Sequence, residues 1–138
     1  MKKKILFLCT GNSCRSQMAE GLGKKYLDNY IVRSAGTYPE EVNSNAINSM
    51  KEIGIDISQK KSKKIDINKL NRCDLVITLC GDIKDKCPIA DSSKHIHWNI
   101  SDPAKFRGSS KQVKLKFSEI RNIIYNNIKL LKDKLNNN

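Results

Sequence analysis

One stretch near the start of the chain decides the fold: Ile5-Leu6-Phe7-Leu8-Cys9-Thr10-Gly11-Asn12-Ser13-Cys14-Arg15-Ser16. It opens with an uninterrupted apolar run, which is typical of a strand buried in a parallel sheet. From Arg15 onward, Met18, Leu22 and Tyr26 recur at helical spacing. The stretch therefore predicts a strand, then a polar loop with a cysteine at one end and an arginine at the other, then a helix.

Similar patterns along the chain predict the rest of an α/β fold. We expect further strands at residues 30–35, 74–79 and 95–98, and helices after Asn43 or Ser44, after the basic residues 60–64, and along the apolar stripe from Phe117 to Leu135. Because strands and helices alternate, the sequence predicts one domain over residues 1–138, with a four-stranded parallel sheet covered by helices on both faces. Ligands of such sheets bind beyond the carboxyl ends of the strands, which is where Cys9, Cys80 and Asp102 fall.

The composition narrows the classes of function. Hydrophobic residues make up 38% of the 138 residues and charged residues 29%, which is ordinary for a globular protein. The formal net charge of +12 is compatible with a nucleic-acid partner. However, the lysines are scattered along the chain, and the aromatic residues that could stack on bases amount to only 6%. We therefore do not expect nucleic acid to be the main partner, although the positive field favours small oxyanions.

The apolar segments and the cysteines indicate a cytoplasmic protein. No segment approaches the roughly 20 apolar residues that cross a bilayer, and the run at residues 5–8 is too short for a signal peptide. Static disulfides are not expected in a reducing compartment, so the five cysteines serve as core filler, metal ligands or redox groups. We interpret Cys14 and Cys73 as structural.

The loop that joins Cys9 to Arg15 is typical of an oxyanion site. Its backbone N–H groups can surround a tetrahedral anion at the positive end of the following helix, and Arg15 adds a bidentate grip. Ser16 can donate a hydrogen bond to the Cys9 thiolate, and Asn12 tolerates a left-handed conformation. The alternative is that Cys9 is an ordinary buried residue and Arg15 a surface charge. A nucleotide P-loop is excluded because Gly-Lys-Ser/Thr is absent. The predicted substrate site comprises Thr10, Gly11, Asn12, Ser13, Cys14, Arg15 and Ser16.

These motifs resemble those of the low-molecular-weight tyrosine phosphatases, and more closely those of the thioredoxin-coupled arsenate reductases that share their fold. The resemblance runs from Cys9 to Gly21 and continues through Ser34-Ala35-Gly36, Ala46-Ile47, Met50-Lys51-Glu52, Ile55-Asp56-Ile57-Ser58, Thr78-Leu79-Cys80, Cys87-Pro88, His97-Trp98 and Asp102-Pro103. It implies a phosphatase-like, flavodoxin-like sheet. It also implies a monomeric enzyme without a bound cofactor, for which arsenate is the substrate and phosphate or sulfate a competitor.

The resemblance implies a three-cysteine relay in which Cys9 attacks arsenate, Cys80 attacks Cys9, and Cys87 attacks Cys80. Thioredoxin then reduces the Cys80–Cys87 disulfide, and each step after the first is thiol–disulfide exchange. Asp102 matches the general acid of the family. Ala104 stands where the phosphatases commonly have an aromatic residue, which favours a small inorganic substrate.

Three other interpretations remain open. One is a phosphatase acting on phosphotyrosine or another phosphoester, which would need only water after the first step. Another is a basic module that binds oxyanions or nucleic acid without catalysis. The third concerns Cys80 and Cys87, which could be inert or bind zinc, although a second ligand pair at metal spacing is missing. We expect His95 and His97 to face core and solvent alternately.

A departure from the family concerns a potassium site beside the loop. In some reductases the potassium ion is bound by side chains that match Asn12, Glu20 and Ser34 and by an aspartate. An ungapped alignment places Lys63 at the position of that aspartate. Because an ammonium repels a cation, we expect Lys63 to pair with Glu20 and replace the ion. The alternative is that Lys63 points outward with its basic neighbours.

Overall fold

A computed structural model describes residues 2–79 and 94–137 of the chain. Cys80 and Cys87, the two predicted relay cysteines, lie outside the described residues. The strands are β1 (Lys4–Cys9), β2 (Ile31–Gly36), β3 (Leu75–Thr78) and β4 (His95–His97). The helices are α1 (Arg15–Tyr26), α2 (Ser44–Lys51), α3 (Ile67–Asn71) and α4 (Ser110–Asn136), with a 3₁₀ turn at Pro103–Lys105 before α4.

The four strands form one parallel sheet in the order β2-β1-β3-β4. The predicted sheet is therefore confirmed. The chain first steps from β1 to β2 on one side and then returns to β3 on the other side, so the strand order reverses at β1. A crevice opens at the carboxyl end of the strand where the order reverses. The loop after Cys9 lies at that point.

Alternate side chains of the strands pack against helices on opposite faces of the sheet. The first face carries Ile5, Phe7 and Ile77, and it packs against apolar residues of α1 and α4 such as Met18, Leu22, Phe117 and Ile124. The second face carries Leu6, Leu8 and Val76, and it packs against Leu70 of α3. Helices therefore cover both faces, as predicted.

Capping side chains set the ends of the helices. Asn43 accepts hydrogen bonds from the backbone N–H groups of Asn45 and Ala46, which starts α2 where the sequence predicted it. Ser109 and Gln112 form a reciprocal capping box at the start of α4. Gly54, with a φ of +77°, closes the turn after α2. Among the described residues, no helix is long and apolar enough to cross a membrane.

The fourth predicted strand is present as β4, but the expected orientation of its two histidines was wrong. His95 and His97 both reach the hydroxyl of Thr78 on the neighbouring strand, at 2.8 Å from His95 Nε2 and 2.7 Å from His97 Nδ1. Residues two apart in a strand point to the same face, so the two rings could not alternate between core and solvent.

Candidate active site

Backbone hydrogen bonds hold the loop after Cys9 from its outer side. The carbonyls of Thr10, Gly11 and Ser13 accept hydrogen bonds from the backbone N–H groups of Tyr38, Glu40 and Asn43, at 2.8–2.9 Å. Because these carbonyls are turned toward the segment that follows β2, the concave side of the loop is left to N–H groups. Such a concave surface suits an anion.

Gly36 allows the loop to lie directly against the end of β2. A Cβ atom at this position would come within 2.6 Å of the Thr10 carbonyl oxygen and 2.8 Å of the Asn12 nitrogen. Both atoms belong to the backbone and cannot move aside, so a side chain at Gly36 would displace the loop.

Asn12 is the centre of a buried polar cluster beneath the loop. It is fully buried. Its φ of +50° is the only positive φ of a non-glycine residue in the part of the chain that the structure describes. Its Nδ2 donates to Ser16 Oγ at 2.7 Å and to Ser34 Oγ at 2.9 Å, while its Oδ1 accepts from Gln17 Nε2 and from the Lys63 backbone. These contacts offset the cost of the left-handed conformation.

The thiol of Cys9 is bound from one side by the helix that follows. Cys9 is buried, and its Sγ lies 2.8 Å from Ser16 Oγ. Because Ser16 also accepts a hydrogen bond from Asn12 Nδ2, its own proton is available to the sulfur. A hydroxyl that donates to the sulfur stabilises a thiolate nucleophile.

Helix α1 begins at Arg15 without a side chain that caps it. Its N-cap residue is Cys14, which makes no capping hydrogen bond, and its first turn contains no acidic residue. The free N–H groups and the positive end of the helix dipole therefore remain available to an anion in the loop.

The guanidinium of Arg15 is anchored by the ends of other strands. Its Nη1 donates to the carbonyl of Ile100 at 3.0 Å and reaches the carbonyl of Leu79 at 3.4 Å. Its Nη2 lies 3.6 Å from Asp102 Oδ2, and its buried Nε has no partner among the described residues. An unpartnered buried donor is costly, so an anion in the loop would satisfy it.

Asp102 lines the same cavity as Cys9 and Arg15. It follows β4, its Oδ1 accepts from the backbone N–H of Ala104 at 3.0 Å, and its side chain is 23% exposed. The carboxyl group thus borders the anion site and retains access to solvent, which is the placement that a proton donor to a leaving oxygen requires.

A cavity of about 680 Å³ opens over these groups. Cys9, Arg15 and Asp102 line it, together with Phe106 and Lys116, whose ammonium lies 5.7 Å from the centre of the Phe106 ring. Sequence reasoning missed Phe106, because it looked for an aromatic residue at position 104.

The predicted pairing of Lys63 with Glu20 is present in the structure, but two more lysines take part. The Glu20 carboxylate is buried. Its Oε1 accepts from Ser34 Oγ at 2.9 Å and lies 3.7 Å from Lys63 Nζ, while its Oε2 lies 3.2 Å from Lys60 Nζ and 3.4 Å from Lys24 Nζ. Burial alone raises the pKa of this carboxyl, but Lys63, the Ser34 hydrogen bond, Lys24 and Lys60 outweigh it and hold the pKa below its usual range.

Cys14 and Cys73 lie in the two apolar cores. Cys14 packs within the first-face core, and burial is the main cause that raises the pKa of its thiol to about 12. Cys73 packs within the second-face core, and burial raises its pKa as well. Both thiols are therefore protonated at neutral pH, unlike a nucleophile.

Comparison with known proteins identifies the family of the chain. The family described as low molecular weight phosphotyrosine protein phosphatase matches residues 4–138. Curated arsenate reductases are similar over almost the whole chain. The one from Halalkalibacterium halodurans is 53% identical over 93% of this chain and 94% of its own length. The one from Bacillus subtilis is 50% identical over 94% of this chain and 95% of its own length.

Solved structures agree with the fold. An arsenate reductase in a phosphate-binding state has a TM-score of 0.76 and 33% identity, over 96% of this chain and 98% of that one. The tyrosine phosphatase Wzb from Escherichia coli K30, solved with sulphate, has a TM-score of 0.84 at 20% identity, over 98% of this chain and 99% of that one, which shows the fold alone. The chain belongs to the low molecular weight phosphotyrosine protein phosphatase family, in the branch that contains the curated arsenate reductases.

Proposed function

We propose that this protein reduces arsenate to arsenite through Cys9, Cys80 and Cys87, with thioredoxin as the electron donor in the cytoplasm. The observation that carries the proposal is the arrangement around the loop: a buried thiol bound by Ser16, beside an arginine that lines the same cavity and has a buried N–H without a partner among the described residues. The names of the relatives at 50–53% identity support arsenate as the substrate.

In the first step, Cys9 Sγ attacks the arsenic atom and forms a sulfur–arsenic bond. The departing oxygen leaves as water after it takes a proton from Asp102. Arg15 and the loop N–H groups stabilise the negative charge on the remaining oxygens throughout the step. Arsenic is still in its pentavalent state at this point, so no electrons have yet been transferred.

Reduction occurs when a second thiolate attacks Cys9. Cys80 Sγ bonds to Cys9 Sγ, the sulfur–arsenic bond breaks, and its electron pair stays on arsenic, which leaves as arsenite. Cys87 then attacks Cys80 and releases Cys9 as a thiolate, and the dithiol of thioredoxin reduces the Cys80–Cys87 disulfide. This role for Cys80 is supported by its position in the sequence, directly after Leu79, whose carbonyl lies 3.4 Å from Arg15 Nη1.

A second candidate, phosphoester hydrolysis, is favoured by one observation. Phe106 lines the cavity above the loop even though position 104 is an alanine. An aromatic ring at the mouth can stack on an aromatic ester. The residue at position 104 therefore does not decide the substrate class.

One assay separates the candidates. Arsenite production is measured with thioredoxin, thioredoxin reductase and NADPH, and hydrolysis of p-nitrophenyl phosphate is measured without them. For the reductase we expect thioredoxin-dependent turnover that is lost in Cys9→Ser and in Cys80→Ser, whereas slow hydrolysis survives in Cys80→Ser. Hydrolysis without arsenate turnover would establish the phosphatase. Phosphate binding without either activity would leave only a binding module.

A further inference from the structure

A second cavity lies on the opposite face of the sheet from α1 and α4. It measures about 580 Å³, within the range of small-molecule sites. Its apolar lining includes Leu6, Ala35 and the buried thiol Cys73, which belong to the second-face core. Its rim carries six cationic side chains, from Lys4, Arg33, Lys63, Lys64, Lys69 and Arg72. We call this cavity the basic pocket.

The positive charge of the basic pocket is not balanced within the described part of the chain. Of the six cations, Lys63 alone pairs with a carboxylate there, and that partner is Glu20. The one carboxylate in the lining, Asp66, uses its Oδ1 to accept from the backbone N–H groups of Asn68 and Lys69, because it caps α3. Several like charges held around one concavity repel one another, and an anion between them would relieve that repulsion.

The surroundings also favour an anion with an apolar body over a bare ion. Leu6, Ala35 and Cys73 are each 6–7% exposed, and they offer a floor without charge. Burial raises the pKa of the Cys73 thiol, so the floor stays neutral near pH 7. A flat apolar group can lie on this floor while its charged groups reach the rim, where lysine and arginine heads keep contact with water.

We propose that the basic pocket binds an organic anion that combines an aromatic or apolar body with at least two negative charges. This site is separate from the oxyanion loop, since none of its lining residues borders the cavity above Cys9. Its occupant is a small molecule, because the cavity volume of about 580 Å³ lies within the range of small-molecule sites.

Naphthalene-2,6-disulfonate is a suitable probe, because it carries two charges on a flat aromatic body. Its binding is followed by calorimetry and by amide NMR shifts at saturating phosphate, which occupies the oxyanion loop. We expect saturable one-to-one binding with the shifts confined to residues of β1, β2 and the turn after α3. Sulfate should bind at least roughly tenfold more weakly, because it leaves the apolar floor uncovered.

Charge-matched variants locate the site. The double variant Arg33→Ala, Arg72→Ala should lower the affinity for the probe by about fivefold, since each exposed charge contact contributes little on its own. The control pair, Lys111→Ala with Lys132→Ala on the exposed side of α4, removes the same net charge and should change the affinity less than about twofold. Equal weakening in both pairs would mean that only the general positive field attracts the probe. Absence of saturable binding would also overturn the proposal. Shifts confined to the loop from Cys9 to Ser16 would overturn it too, and would assign the probe to the oxyanion loop instead.

Discussion

Replacing Lys63 by alanine should lower the free energy of unfolding by about 1 kcal/mol. The Lys63 ammonium lies 3.7 Å from Glu20 Oε1. Two unit charges at that distance attract by about 1 kcal/mol in water and by roughly 4.5 kcal/mol at an effective dielectric constant of about 20. The lower figure applies, because the Lys63 side chain is 45% exposed and because Lys24 and Lys60 remain beside the carboxylate.

The assay is thermal unfolding in sodium chloride and in potassium chloride at equal ionic strength. A loss of about 1 kcal/mol lowers the melting temperature by roughly 4 °C in a chain of this size, and the difference should shrink in about 1 M salt. Lys64→Ala is the control. It removes the same charge at the next position, and the Lys64 side chain makes no ion pair among the described residues. The wild-type protein should respond alike to both cations, whereas Lys63→Asp should gain stability from potassium specifically. A wild-type protein stabilised by potassium and not by sodium would refute the substitution of the ion by lysine.

Four further outcomes test the site. Cys87→Ser should release one equivalent of arsenite and then stop with a Cys9–Cys80 disulfide, which peptide mass mapping detects; sustained turnover would remove Cys87 from the relay. Asp102→Asn should slow the first step by about 10²-fold or more in rapid-quench single turnovers, while thiol exchange from a preformed disulfide proceeds normally. Ser16→Ala removes the hydrogen bond to Cys9 Sγ and should slow alkylation of that thiol by iodoacetamide about tenfold at pH 7. The control variant, Ser13→Ala, should leave the alkylation rate unchanged. The pKa of the Glu20 carboxyl is held below its ordinary 4.5 by the lysines, so the stability it contributes is present above that pH and is lost as the pH falls through the lowered value. Urea titrations of wild type and Glu20→Gln should therefore converge as the pH falls from 5 toward 3.

Elements defined by local chemistry were predictable from the sequence. The strand before Cys9 is a continuous apolar run, and Asn43 offers an oxygen to the first N–H groups of α2 wherever the rest of the chain lies. The roles of Cys9 and Arg15 could likewise be inferred, because a strand, a loop and a helix within a few residues fix their relative positions.

Features that depend on distant packing were not predictable in the same way. Lys60 reaches Glu20 because the segment before α3 folds back over α1, and no spacing rule indicates this. Lys24 differs, since it lies one helical turn after Glu20 on α1 and its pairing follows from i,i+4 spacing. Phe106 enters the cavity because a 3₁₀ turn at Pro103–Lys105 redirects the chain after Asp102. The error at His95 and His97 is of another kind, since the period of two along a strand already places both rings on one face.

The contacts of Asn12 have a consequence for the order of folding. Its side chain and carbonyl are bound by residues that lie far apart along the chain, namely Ser34 in β2, Ser62 and the backbone of Lys63. Long loops must close before such contacts form, so they arise late and slowly. Oxyanion binding should consequently appear in the last phase of refolding, after the helices. A nascent chain of 60 residues contains every residue of the loop from Cys9 to Ser16, and it still lacks Ser62 and Lys63, which bind the carbonyl and the side chain of Asn12.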